Sequence, residues 1–282
     1  MGYHTETFKK GEKITLDIVK KCEINILKEF ISFCDRHQLR YYLVGGTLIG
    51  AVRNQGYVPW DDDVDVVMPR PDFDRFHKIS NGNVGTYEVR SMYYTPDIHC
   101  RGLIRIVDKR YMTELSVDPM FLPPWVDIFP LEGLPEDYND CLKHYEKAKF
   151  WKILSKYSRV DLRLTKSLVK RVIKWIVFLP LRIIGPAYFN KKLVSLSKKY
   201  SFDDSKYVGV VATGLGIRER MPKTYYIGEV KRLPFEGMMV TVPSNYDNYL
   251  RDFYGDYLKL PPVNKRKTHI KNAWKVKGEE YI

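Results

Sequence analysis

Four carboxylates crowd into five positions of this chain: Asp61, Asp62, Asp63 and Asp65, in the string PWDDDVDVV. Like charges at that density repel, and each unpaired carboxylate resists leaving water. A solvated acidic turn would satisfy them, but the residues that follow read differently. Asp63 and Asp65 alternate with Val64 and Val66, the two-residue period of a strand, and Val67 and Met68 extend it. Two acids then point from one face while the valines enter a core. Carboxylates gathered at the start of a buried strand call for a compensating charge. Mg²⁺, which takes one or two carboxylates together with phosphate oxygens, is the natural one. Upstream, Tyr41 to Val44 reads as a short apolar strand and Gly45-Gly46-Thr47 as a turn whose N–H groups can face an anion. A brief helical pattern then leads to Arg53. The alternative is an acidic turn leading into an ordinary strand.

A glycine turn, a helix and an Asp-x-Asp strand in that order resemble the nucleotidyltransferase fold. The longer string GGTLIGAVRNQGYVPWDDDVDV is similar to the LicD family, whose members transfer phosphorylcholine and related phosphate-linked groups to glycans. The segment LPFEGMMVTVPSNYDNYLRDFYGDYLKLPP resembles the C-terminal part of that family, while Ala148 to Lys206 shows little to match. The resemblance implies an α+β fold: a nucleotidyltransferase-like mixed sheet flanked by helices, with an added, mostly helical basic region. It implies a third acid on a neighbouring strand between apolar residues, and Asp127 in PWVDIFPL matches that position. The implied catalytic and metal-binding set is therefore Asp63, Asp65 and Asp127, holding Mg²⁺ or Mn²⁺.

Other residues take supporting roles in that expectation. Gly45, Gly46 and Thr47 line the donor phosphates, Thr47 being also a candidate helix N-cap. Arg53 pairs with the acids or a phosphate, or stays on the surface. Trp60 is either a core aromatic or a flat wall for a base or a quaternary ammonium. Asp61 and Asp62 tune or position the site. The implied reaction moves phosphorylcholine from CDP-choline to a sugar hydroxyl of a teichoic-acid or lipopolysaccharide-type precursor and releases CMP. Transfer of a different CDP-linked group, such as a polyol phosphate, or of the nucleotide itself is the rival within enzymes. A basic nucleic-acid-binding module is the rival from another class, and an acid cluster without metal would repel its ligand.

Lys and Arg total 47 against 34 acids, a net +13, which suggests an anionic partner. The run from Arg163 to Lys192 combines that charge with apolar residues, and its uncharged stretches fall far short of the ~20 needed to span a bilayer. It reads as a basic amphipathic segment resting on an anionic membrane face, or as a buried helical hairpin with a basic outer side. Pro180 and Gly185-Pro186 are expected to break it. The N-terminus is polar and has no apolar h-region, so no signal peptide is expected. Cys22, Cys34, Cys100 and Cys141 lack metal or disulfide spacing, and a reducing cytoplasmic compartment fits, at the inner face of the cell membrane.

Three regions are expected. Residues 1–135 form the catalytic core, 136–206 a helical basic insertion, and 207–282 a C-terminal part completing the core. Within them, helices are expected over Thr15 to His37, Pro71 to Ser80, Asp137 to Tyr157 and Lys191 to Tyr200. Strands are expected over Tyr87 to Met92, Leu103 to Val107, Tyr111 to Val117, Tyr207 to Val211 and Met238 to Val242. Pro130 to Pro135 reads as a turn-rich boundary, and Ser244 as an N-cap with Asp247 behind it. His269 falls in a basic tail as a solvated residue, with Lys265, Arg266 and Lys267 available to phosphate.

Overall fold

A computed structural model of the chain describes residues 8–92, 94, 102–116, 120–159, 167–266 and 268–278. Its first half runs β1 (Lys10–Ile14), α1 (Leu16–Arg36), β2 (Tyr42–Leu43), α2 (Gly45–Asn54), β3 (Asp65–Pro69), α3 (Arg70–Ser80), β4 (Asn83–Val84), β5 (Tyr87–Ser91), β6 (Ile104–Val107), β7 (Tyr111–Leu115), β8 (Phe121–Leu122) and β9 (Trp125–Leu134). The second half runs α4 (Tyr138–Tyr157), α5 (Leu168–Ile184), α6 (Pro186–Ser197), β10 (Tyr207–Gly209), β11 (Met221–Pro222), β12 (Lys231–Phe235), β13 (Met238–Val242), α7 (Tyr246–Tyr254) and β14 (Ile270–Val276).

The long strand β9 organises the main sheet. Its first half pairs parallel with β3, Asp127 opposite Asp65, and antiparallel with β6, Asp127 opposite Arg105. Its end pairs antiparallel with β10, Leu134 opposite Tyr207. The mixed sheet flanked by helices is the α+β architecture expected. Val64, Val66, Ile104, Ile106, Val126 and Ile128 are fully buried. They alternate along the strands that carry the acids and Arg105. Each such side chain stabilises by about 1.5–3 kcal/mol on burial, which offsets the cost of holding carboxylates in the same strands. Helix α1 covers the sheet with Ile26, Leu27, Phe30 and Cys34, and the Phe30 ring meets Tyr41 and Phe76 edge-on at 5.3 and 5.5 Å. A smaller sheet, ordered β1-β14-β7-β8, brings together strands from near both ends of the chain. Helices α4 and α6 pack on the β9 end through Leu134, Cys141, Tyr145, Ala148 and Leu193.

Several expectations need correction. The Gly45-Gly46-Thr47 turn is the first turn of α2 itself, with Val44 at the N-cap. Asp63 precedes the strand, which starts at Asp65. Of the boundary expected at Pro130 to Pro135, all but Pro135 is continuous strand, which ends at Leu134. Gly133 is there for close packing, since a Cβ on it would lie 2.2 Å from the Ser201 carbonyl oxygen. Pro180 does not break α5, and the interruption falls at Gly185. Pro180 and Ile176, whose carbonyl loses its N–H partner, are both exposed, so water can take that carbonyl. Helix α6 starts at Pro186, ahead of the expected Lys191. Ser244 does not cap α7: its hydroxyl donates to the carbonyls of Tyr226 and Glu229 at 3.1 and 2.9 Å, and Asn245 holds the N-cap position. The hairpin partner β12 and the edge strand β1 carry no clear alternation in sequence. Cys22, Cys34 and Cys141 are buried and unpaired. Cys100, Val117, Arg163 and Lys267 lie outside the described residues.

Candidate active site

Asp65 opens β3 and Asp127 stands beside it on β9, their backbones tied by the Asp127 N–H donating to the Val64 carbonyl at 2.9 Å. Opposite Asp127 on β6, Arg105 donates to both its carboxylate oxygens, at 2.7 and 2.9 Å, and lies over the Trp125 ring at 5.1 Å. The start of α2 packs against the acids. Gly45 has φ +64°, and a Cβ there would sit 3.0 Å from Asp65 Oδ2; a Cβ on Gly46 would sit 2.1 Å from Asp61 Oδ2. The two glycines thus admit carboxylates to the helix N-terminus, whose positive end favours them. Thr47 is buried. Its hydroxyl accepts the Asp65 N–H at 2.9 Å and reaches the Asp63 carbonyl at 3.5 Å, so it braces the acid segment.

The electrostatics separate the four acids of the run. Burial, and then the neighbouring Asp61, push Asp63 up to about 7. Burial, followed by Asp63 and Asp127, raises Asp65 well above the carboxylate range. Asp61 is raised chiefly by burial and is hydrogen-bonded to Asp63. These shifts mark negative charge that the protein leaves uncompensated, and they fit a bound divalent cation. Asp62 differs. It is fully buried, yet it accepts the backbone N–H groups of His269 and Ile270 at 2.8 and 2.7 Å, and His269 Nδ1 lies 3.0 Å away. That hydrogen bond and the nearby acids push His269 up to about 9.

Among the described residues, Asp61, Asp62 and His269 are the one set of three whose ligand atoms fall within 4.8 Å of one another. With Asp62 engaged by N–H donors and His269 holding its proton, that set is a latch between the acid run and β14. The charge in excess lies instead on Asp61, Asp63 and Asp65, for which the nearby imidazolium of His269, its Nδ1 3.5 Å from Asp63 Oδ2, is only a partial balance. Asp127 adjoins them with its own charge balanced by Arg105, and its oxygens keep spare lone pairs.

Beside Gly45 and Asp65 opens a cavity of about 260 Å³, walled by aromatic rings from β9, the Tyr226 segment and α7, with the Glu219 carboxylate. Trp60 and Arg53 have partners of their own. The Trp60 ring stacks under Arg266 at 4.6 Å, and Arg53 donates to the Tyr257 carbonyl at 3.4 Å. Sequence reasoning missed Arg105, His269 and Glu219. A cation between Ile104 and Ile106 in a strand was a signal for the first. Nothing local marked the other two.

Residues 38–155 match the family model described as LicD/FKTN/FKRP, nucleotidyltransferase domain. Over 275 residues the chain is 30% identical to the lipopolysaccharide cholinephosphotransferase LicD of Haemophilus influenzae, covering 92% of this chain and 97% of that protein. The chain belongs to the LicD family. A shorter match, 35% over 54 residues, relates it to an uncharacterized protein of Rickettsia typhi, with 19% and 18% of the two chains covered. The segment matching the LicD family model holds α2, the acid run, Arg105 and Asp127, whereas Glu219, α7 and His269 lie beyond it.

Proposed function

We propose that this chain transfers phosphorylcholine from CDP-choline to a sugar hydroxyl of a cell-envelope glycan precursor, releasing CMP. The observation that carries this reading is the meeting of Asp61, Asp63 and Asp65 with Asp127 at the N-terminus of α2, in a chain whose relative is named a cholinephosphotransferase. Asp63 and Asp65, with Asp61 against them, would hold Mg²⁺ or Mn²⁺. The ion, when bound, supplies charge neutralisation at the diphosphate. The protein's share is positioning. Thr47 fixes the backbone of the acid segment, and Arg105 orients Asp127. Asp127 is then placed to take the proton of the acceptor hydroxyl or to add a ligand oxygen. Gly45 and Gly46 keep side chains away from the diphosphate.

The acceptor is taken to be lipid-linked, with the protein resting on the inner membrane face. No helix of the described residues is long and apolar enough to cross a membrane. Helix α5 instead exposes Leu168, Val172, Trp175, Ile176, Ile183 and Ile184 alongside Lys174 and Arg182, which suits interfacial contact with anionic lipid.

The test is CMP release from CDP-choline with Mg²⁺ and a glycan acceptor. Asp65→Asn is expected to lower it at least about 100-fold, the scale of losing a group that meets transition-state charge. Activity near wild type in that variant would defeat the reading. Nucleotide left on the acceptor would turn it into nucleotidyl transfer.

A further inference from the structure

The cavity beside Asp65 has features that phosphate transfer alone does not call for. Five rings line it: Phe129, Tyr226, Tyr249, Phe253 and Tyr254. Four of them form a continuous wall, with centroids 5.6 Å apart for Tyr226 and Tyr249, 6.0 Å for Tyr249 and Phe253, and 4.8 Å for Phe253 and Tyr254. Ring faces carry negative potential and attract cations within ~6 Å. A guanidinium already uses one of them: Arg218 lies over Phe253 at 5.1 Å, with one N–H given to the Phe253 carbonyl.

The remaining lining points the same way. Glu219 and Asp65 put two carboxylates on the cavity, and Tyr254 lies in the field of both. The Glu219 side chain is anchored by the Leu215 N–H at 2.9 Å. Gly214 lets this loop close on itself, since a Cβ there would meet the Val210 carbonyl oxygen at 2.1 Å. At about 260 Å³ the space is smaller than the ~300–1,000 Å³ of a drug-sized site, so it holds a head group and leaves a nucleotide outside. A primary ammonium would need acceptors for three N–H bonds; a quaternary one needs none and is met by rings and a counter-charge.

We propose that this cavity takes the quaternary ammonium of the phosphorylcholine being transferred, with Glu219 as counter-charge and the rings as its walls, the phosphate lying toward Asp65. The identity of the cation rests on the transfer reading above. The cavity therefore determines which donor is used, favouring choline over ethanolamine and over uncharged polyols.

The test uses the full chain in ligand-observed NMR titrations with phosphocholine, phosphoethanolamine and glycerol 3-phosphate. Variants are Tyr254→Ala, at a residue 41% exposed, and the near-isosteric Glu219→Gln. Wild type is expected to prefer phosphocholine, and each variant to weaken it roughly 2- to 30-fold, the range of one cation–π or counter-charge contact. Glycerol 3-phosphate binding is expected to change little in either variant. Equal binding of the three ligands by wild type, or unchanged phosphocholine affinity in both variants, overturns the proposal. CMP release from CDP-choline separates it from the parent reading. Release with phosphocholine affinity indifferent to both variants keeps the transfer and removes the cavity's role. Selective, variant-sensitive phosphocholine binding without release keeps the cavity and removes the transfer.

Discussion

Asp62 and Asp63 are neighbours in sequence with opposite surroundings. Asp62 is fully buried and accepts N–H groups of His269 and Ile270, whereas Asp63, with Asp61 beside it and His269 Nδ1 at 3.5 Å, is pushed up to about 7, chiefly by burial. Removing Asp62 strands those donors and loosens His269. Asp62→Ala is therefore expected to destabilise the fold by on the order of 3 kcal/mol, read as a shift in the urea midpoint without a change in slope. The string DDDVD announced an acid cluster but could not say which member turned inward, because that depends on a partner about two hundred residues away. Thr47 was hidden in a similar way. Its place after two glycines suggested contact with an anion, and the strand backbone claims its hydroxyl instead. Asp127 was legible because an acid between Val126 and Ile128 in a buried strand needs a reason. Arg105, one ladder rung away, supplies part of it.

The elements most legible in sequence were those with strong local period. Helix α1 and strands β3 and β6 fall within one or two residues of expectation. The least legible were those whose residues answer to packing, as with Gly133 and Ser244. Helix α5 shows the limit of reading proline as punctuation, since an exposed helix tolerates Pro180. Its outer apolar residues, with Ile183 77% and Trp175 51% exposed, carry the membrane proposal. Vesicle co-sedimentation should show binding to liposomes containing phosphatidylserine and little to purely zwitterionic ones. Trp175→Glu with Ile176→Glu should weaken that binding by at least about tenfold, through lost burial and added repulsion. Equal sedimentation of that variant would remove α5 from the contact.

At the scale of the whole molecule, the small sheet ties β1 and α1 to the end of the chain. Strand β14 lies between β1 and β7, with Trp274 opposite both Lys13 and Met112, and Ala273 opposite both Ile14 and Thr113. Deleting residues 268–282 removes this shared strand together with the Asp62 latch. The truncated chain is expected to lose its cooperative thermal transition or to melt at least about 8 °C lower, the scale of a loss of several kcal/mol in a large domain. An unchanged melting curve would show that the acid run stands without its clasp. None of this pairing was visible in the sequence, where the same residues looked like a basic tail.

The latch also bears on when the acid run can settle during synthesis. Residues 61 to 65 emerge from the ribosome early, but the N–H groups that settle Asp62 belong to residues 269 and 270. Until residues 269 and 270 have emerged, the nascent polypeptide carries an acid run without its clasp. The acid run thus reaches its final surroundings only after a separation of 207 residues has been bridged.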